Sequence, residues 1–286
     1  MSKNYFFTKK EKEVINKLLQ QIISIHKKNE TIIIGIQGGQ GTGKTTLAKH
    51  ISKVLKKKNF KTVHFSIDDI YKSVKERKEL IRKNSQNPFY QIPRGLPGTH
   101  QINLLENIFI KSKKGQKFTI PKFNKSTNKG FGSIKRNKIK VSEGLDFLII
   151  EGWCLGIPTT NSKGLIKICN KNKIDLKGMD PELKFHKVPL KFIKGYQKLW
   201  KHINLTIMLK PDSLKSHHKW RLQQERELKK NTKSGMTSDQ IFTFVNSFLP
   251  FTYLCYDKIK PDVKIIINNK HEFYKLDKKI KLSKRL

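Results

Sequence analysis

Long apolar runs are missing from this chain: its longest aliphatic stretches, such as Ile32–Ile34 and Phe147–Ile150, fall far short of the ~20 residues that span a bilayer. The opening MSKNYFFTKKEKEV is charged with no apolar run behind it, so no secretory signal is read there. A cytoplasmic protein without membrane contact is the expectation. Cysteine is scarce as well. Cys154, Cys169 and Cys255 are odd in number and lack CxxC spacing, which argues against a disulfide framework and a cysteine metal site. Acids and arginine are also few: 22 Asp and Glu face 61 Lys and Arg, for a formal net charge of +39, and only seven of the 61 are arginine. Such a charge first suggests a polyanion partner. The lysines, however, are dispersed among Asn and Ile, residues that share AT-rich codons, and no RRM-like run, helix-turn-helix or finger spacing accompanies them. The excess reads as a solvated surface set by composition, and nucleic acid is not expected as a partner.

With 286 residues, 36% of them apolar, the chain can bury a substantial core and fits one large α/β domain with insertions. Apolar positions Val14, Leu18, Leu19, Ile22 and Ile23 recur at helical spacing, which predicts an amphipathic helix within residues 1–30. The β-branched run Thr31–Ile36 reads as a buried strand leading into a Gly-rich turn. Lys44–Leu55 has helical character and Lys61–Ser66 reads as the next strand, completing a βαβ unit. Asn87–His100, with three prolines, reads as a structured loop. Asp146–Ile150, Asn204–Leu209 and Val263–Ile267 supply three more strands, predicting a mainly parallel five-stranded sheet with helices on both faces. Residues 111–142 and 154–188, rich in Lys, Asn and Gly, read as irregular insertions. The polar stretch from Asp212 to Lys230 has a helical pattern, Gly235–Met236 reads as a break, and Ser238–Phe248 as a further helix.

Gly38-Gly39-Gln40-Gly41-Thr42-Gly43-Lys44-Thr45 satisfies GxxxxGK[ST] between a predicted strand and helix, the context a P-loop requires. Its glycines let backbone N–H groups turn onto phosphate oxygens, and the following helix presents the positive end of its dipole. ATP and Mg²⁺ are the expected ligands. Lys44 is expected to reach the β- and γ-phosphates, Thr45 to ligate Mg²⁺, and Thr46 to meet the α-phosphate. Phe147-Leu148-Ile149-Ile150-Glu151-Gly152 is an apolar strand delivering Glu151 at its carboxyl end, where ligands of open α/β sheets sit, so Glu151 is a candidate second metal residue.

Ser66-Ile67-Asp68-Asp69-Ile70-Tyr71 places two carboxylates at another strand end, and one of them can accept the proton of a substrate hydroxyl. The alternative for each is an acidic helix cap, a role that weighs more heavily on Asp69. A GTPase would more often place Gln here, and the chain has no NKxD motif.

Together, the P-loop, SIDDIY, Arg94-Gly95-Leu96-Pro97-Gly98-Thr99-His100, Pro121 with Lys125-Ser126, and Glu151-Gly152-Trp153 resemble the D-glycerate 3-kinase family. Trp220-Arg221-Leu222-Gln223-Gln224-Glu225, Gly235-Met236-Thr237 and Phe244-Val245 with Leu249-Pro250 are similar too, so the resemblance runs from about Thr31 to Tyr256. It implies a P-loop kinase domain of the uridine kinase and phosphoribulokinase type over residues 1–286, with its core at 31–270. Phosphoryl transfer from Mg·ATP to D-glycerate or a similar hydroxy acid is the implied reaction. Asp68 then matches the catalytic base, Arg221 falls in a lid near residues 212–235, and Tyr71, Arg94, His100 and Lys125 form the acceptor site. Gln101 and Asn124 stand where the family leads one to expect Asp, and Gly132-Ser133-Ile134 replaces a Gly-Asp-Arg segment. These departures fall on the acceptor side. The rival readings are a uridine- or pantothenate-type kinase, a nucleic-acid-dependent P-loop ATPase, and a non-catalytic nucleotide-binding protein, which the intact Lys44, Thr45, Asp68 and Glu151 set disfavours.

Overall fold

The computed structural model describes residues 7–91, 94–125, 127–128, 131–175, 180, 182–213, 215–232 and 237–277. Helix α1 (Lys9–Ser24) starts at Thr8, whose hydroxyl accepts from Glu11 N–H while the Glu11 carboxylate accepts from Thr8 N–H. It buries Val14, Ile15, Leu18, Leu19 and Ile22 on one face. Each contributes about 1.5–3 kcal/mol by leaving water, so truncating Leu18 alone costs about 2–5 kcal/mol.

Strand β1 (Ile32–Gly38) is buried throughout and runs into α2 (Lys44–Lys57). Strand β2 (Thr62–Ser66) leads through a short 3₁₀ turn, Ile67–Ile70, to α3 (Val74–Lys83) and later α4 (Ile102–Lys113). Four short strands follow, β3 (Phe118–Ile120), β4 (Phe123–Asn124), β5 (Ser133–Ile134) and β6 (Ile139–Val141), pairing as β3 with β6 and β4 with β5. Strand β7 (Phe147–Gly152) precedes α5 (Ser162–Lys171) and α6 (Lys187–Trp200). The chain then forms β8 (Leu205–Pro211), α7 (Lys215–Thr232), α8 (Ser238–Lys258), β9 (Val263–Ile267) and β10 (Phe273–Leu276).

The main sheet has the order β10-β9-β8-β1-β7-β2, with every pairing parallel except β9 with β10. Successive side chains along β1 alternate between two cores, as the pleat requires. Ile33 joins Leu148, Ile150, Phe109 and Phe248 on one face, whereas Ile32, Ile34 and Ile36 pack with Leu47, Ile51 and Leu18 on the other. Register fixes the site. Glu151 on β7 lies opposite Ile36 on β1 and Ser66 on β2, which brings the P-loop, the 3₁₀ turn and Glu151 to one sheet edge. Among the described residues, no helix is long and apolar enough to cross a membrane.

The five parallel strands fall where the sequence pattern puts them; helices α3, α4 and α6 are additions to that pattern, and three further features differ from it. A sixth strand, β10, closes the edge in antiparallel fashion. The stretches read as irregular insertions contain the β3–β6 and β4–β5 pairs and α5, because a few buried anchors such as Ile120, Leu165 and Ile168 order lysine-rich segments. The last helix does not stop at Phe248. It continues through Pro250 to Lys258, since the ~3 kcal/mol cost of an internal proline is outweighed by burying Leu249, Phe251, Leu254 and Cys255. Gly235 and Met236 lie outside the described residues. All three cysteines are buried and unpaired.

Candidate active site at the carboxyl edge of the sheet

The P-loop joins β1 to α2 with Gly41 (φ 78°) and Gly43 (φ 82°) in the left-handed region, where a side chain would be strained. Gly43 is the N-cap residue and offers no side-chain cap, so the first N–H groups of α2 are available to an anion. The Lys44 ammonium donates to Gly39 O at 2.8 Å. Burial pushes its pKa down, against the opposing pull of the Glu151 and Asp68 carboxylates. The Thr45 hydroxyl, on an exposed residue, donates to Glu151 Oε1 at 2.9 Å, whereas Glu151 is 6% exposed. A hydroxyl and a carboxylate side by side are the hard oxygen donors that Mg²⁺ takes, so the pair fits that ion.

The two aspartates separate cleanly. Ser66 Oγ accepts from Asp68 N–H at 3.2 Å, and Ser66 N–H donates to Asp69 Oδ2 at 3.2 Å, which caps the 3₁₀ turn. Asp69 also accepts from Lys122 Nζ and Phe123 N–H, both at 3.0 Å, and so ties β4 to the turn. Asp68 points elsewhere. Its Oδ1 accepts the Tyr71 hydroxyl and its Oδ2 the Lys125 ammonium, each at 2.5 Å. Burial raises the Asp68 carboxyl, but the Lys125 charge and the hydrogen bonds from Lys125 and Tyr71 outweigh it and leave the group well below the usual carboxylate range. Asp68 in turn raises the Lys125 ammonium.

Around this pair, Arg94 Nη1 donates to Lys125 O at 3.2 Å. Backbone bonds Lys72 N–H to Thr99 O (2.9 Å) and Gln101 N–H to Ile70 O (2.8 Å) zip the turn onto the RGLPGTH segment. His100 stacks on Tyr71 with ring centroids 4.7 Å apart, and both are 2% exposed. The structure therefore brings Lys44, Thr45, Glu151, Asp68, Tyr71, Lys125 and Arg94 to one edge, with His100 behind the Tyr71 ring. Thr46 is half-buried on α2. Arg221, on α7, pairs with Glu225 at 2.6 Å and lies over the Phe244 ring at 5.5 Å.

The sequence pattern does not reveal what holds the loop itself. Tyr256 Oη accepts from Gly39 N–H at 2.8 Å, His271 Nε2 lies 2.5 Å from Gly41 O, and His217 Nδ1 lies 3.3 Å from Gln40 O. These partners sit more than 170 residues along the chain, where no local motif marks them. Arg77, 1% exposed, is another such residue: it donates to the carbonyls of Phe131 and Gly132 and anchors the loop beyond β4.

Comparison with known proteins adds independent support. Residues 33–161 match the Phosphoribulokinase / Uridine kinase family. The uncharacterized kinase mug58 of Schizosaccharomyces pombe is 30% identical over 243 residues, 83% of this chain and 86% of that protein. The chloroplastic D-glycerate 3-kinase of Arabidopsis thaliana is 29% identical over 226 residues, covering 77% of this chain and 46% of the plant protein. Among solved structures, D-glycerate 3-kinase from Cryptococcus neoformans superposes with a TM-score of 0.79 at 25% identity, covering 94% of this chain and 98% of the other.

Proposed function

Since the chain belongs to the phosphoribulokinase and uridine kinase family and is an ATP-dependent P-loop kinase resembling D-glycerate 3-kinase, we propose that it transfers the γ-phosphoryl group of ATP to the 3-hydroxyl of D-glycerate. The observation that carries this reading is the Asp68 carboxylate, held by Tyr71 and Lys125 at the sheet edge that also bears Lys44 and Glu151. An ionised carboxylate at that place serves transfer to an alcohol.

In this reading the P-loop N–H groups and Lys44 hold the phosphates, and Arg221 adds positive charge from a lid formed by α7. Thr45 and Glu151 hold Mg²⁺, which when bound neutralises charge on the phosphoryl oxygens. Asp68 orients the acceptor hydroxyl and takes its proton. Its depressed pKa keeps it ionised at neutral pH, and Tyr71 fixes the carboxylate plane. Lys125 and Arg94 supply cationic partners for the acceptor carboxylate, with guanidinium suited to bidentate pairing. His100, stacked behind Tyr71, holds that ring in place.

The test is a coupled assay of ADP release with Mg·ATP against D-glycerate, other hydroxy acids, uridine and pantothenate. Glycerate is expected to give the highest kcat/KM. A nucleoside or pantothenate winning by tenfold or more overturns the acceptor assignment and leaves the phosphate site intact.

A further inference from the structure

The base of the proposed reaction is held by a lysine. Lys125 Nζ donates to Asp68 Oδ2 at 2.5 Å, while the Tyr71 hydroxyl donates to Oδ1. The two contacts differ in kind. Tyr71 is buried, its ring stacks on His100, and it lies three residues from Asp68, so packing fixes that contact. Lys125 instead comes from the turn after β4, 57 residues along the chain, and its side chain is 57% exposed against 32% for Asp68. An ion pair open to water is weakly held, and a lysine on a flexible four-carbon stem exchanges partners readily.

Lys125 also lowers the basicity of the carboxylate. Burial raises the Asp68 pKa, but the Lys125 charge and hydrogen bond, together with that of Tyr71, drive it far below the usual carboxylate range. A carboxylate so held keeps spare lone pairs but is a poor proton acceptor, since proton transfer follows basicity. A second cation stands beside this pair. Arg94 Nη1 donates to Lys125 O at 3.2 Å, and whereas Asp68 stabilises the Lys125 ammonium, the Arg94 charge opposes it. An anion seated by the two cations relieves their repulsion and competes with Asp68 for Lys125.

We propose that Lys125 is a specificity-determining residue: it restrains Asp68 until the carboxylate of the acceptor draws the ammonium away, so that only anionic acceptors meet a competent base. This role rests on the reading given above, of Asp68 as base and a hydroxy acid as acceptor. In the step it controls, the acceptor hydroxyl gives its proton to Asp68 as its oxygen bonds the γ-phosphorus. The bond from that phosphorus to the β–γ bridging oxygen breaks, ADP leaves with the electron pair, and Asp68 later passes the proton to water. A neutral polyol, and water itself, lack the charge that drives the exchange. Both find Asp68 still paired, which suppresses transfer to neutral alcohols and idle hydrolysis of ATP alike.

The experiment measures ADP release from Mg·ATP by the full-length protein without acceptor, with glycerol and with D-glycerate. Wild type is compared with Lys125→Met, which keeps an unbranched stem and removes the charge, and with Lys125→Met combined with Asp68→Asn; Lys125→Gln replaces the first variant if methionine lowers the Tm. In Lys125→Met, kcat/KM for glycerate should fall roughly 10- to 150-fold with the lost charge-assisted contact. ATP hydrolysis and kcat/KM for glycerol should instead rise, roughly three- to tenfold, and both gains should vanish in the double variant. Hydrolysis that is unchanged or lower at wild-type Tm overturns the proposal and leaves Lys125 a binding cation only. A gain that persists without the Asp68 carboxylate overturns it too. D-lactate, which is glycerate without the 3-hydroxyl, should stimulate hydrolysis by wild type and not by Lys125→Met; in a wild type that phosphorylates glycerate, no stimulation refutes the exchange. The acceptor-free arm uses no glycerate. If glycerate proves not to be the substrate, that reading falls, while the hydrolysis gain still decides the role of Lys125.

Discussion

Asp68→Asn separates the proposed base from the metal and phosphate residues, and the structure sets the size of each effect. The carboxylate spends one oxygen on Tyr71 and the other on Lys125, both at 2.5 Å. An asparagine keeps the shape and one acceptor oxygen for Tyr71, but turns an NH₂ donor toward the Lys125 ammonium. Lys125 is 57% exposed, so water takes over its solvation and the lost pair costs about 0–1 kcal/mol of stability. Loss of a general base costs roughly 10²–10⁴ in kcat, equivalent to about 2.7–5.4 kcal/mol at 1.36 kcal/mol per decade. The catalytic loss therefore far exceeds the structural one. A late proton transfer in a dissociative transition state assigns part of that loss to misorientation of the hydroxyl, and both roles act on kcat. Steady-state kinetics with glycerate and Mg·ATP, direct ATP binding and thermal melting form the assay. Lys44→Ala is the contrast, expected to weaken both ATP binding and turnover. Near-wild-type kcat in Asp68→Asn refutes the base assignment, and collapse of Mg·ATP binding makes Asp68 a metal-site residue instead.

Arg94→Ala should raise the KM for glycerate roughly 10- to 150-fold, the equivalent of about 1.5–3 kcal/mol for a charge-assisted contact, with the KM for ATP little changed. Unchanged glycerate kinetics in the folded variant reject that contact. Tyr256→Phe removes the acceptor of Gly39 N–H and should cost about 1–3 kcal/mol of stability, read as a lower Tm, while raising the KM for ATP more than it lowers kcat. A Tm equal to wild type would show that the bond contributes nothing. Asp68 ionises at lower pH folded than its ordinary 3.8, so in acid the unfolded chain binds more protons. Its stabilisation is full above about pH 4 and fades as pH falls further, so wild-type Tm should drop more steeply there than that of Asp68→Asn; parallel curves refute this. DNA or RNA should leave ATP turnover unchanged, and a tenfold stimulation would restore the nucleic-acid reading of the +39 charge.

The sequence makes the frame of the site legible because its signals are local. The P-loop, the β-branched runs and the acid at the end of β7 each occupy fewer than ten consecutive residues, and parallel register then aligns Ser66, Ile36 and Glu151. The sequence leans toward Asp69 as the cap, but it does not show the partners that divide Asp68 from Asp69. Those partners are distant in sequence: the turn aims Asp69 at Lys122 and Phe123 N–H and Asp68 at Lys125. His100 shows the same limit: its motif places it at the acceptor side, while packing buries it behind Tyr71. Helices α4 and α6 lie outside the sequence reading although their buried residues, Leu105, Ile108, Phe109 and Ser112 in one and Pro189, Ile193, Tyr196 and Leu199 in the other, recur at helical spacing.

The glycines of the P-loop carry a tertiary constraint as well as the familiar conformational one. At Gly39 a Cβ would come 2.2 Å from His217 Cε1, and at Gly41 it would come 2.8 Å from Trp220 Cβ, so α7 lies directly against the loop backbone. The Trp220 ring stacks on His271 at 4.3 Å, and His271 reaches Gly41 O from the turn before β10. Burial holds His217 near a pKa of about 4, so its contact with Gln40 O does not titrate near neutral pH. The matched family segment ends at residue 161, yet the backbone that receives the phosphates is braced by residues 217, 220, 256 and 271. The first turns of α7, in the proposed lid, thus pack against the loop they would cover, and Arg221, the residue after Trp220, lies over the Phe244 ring.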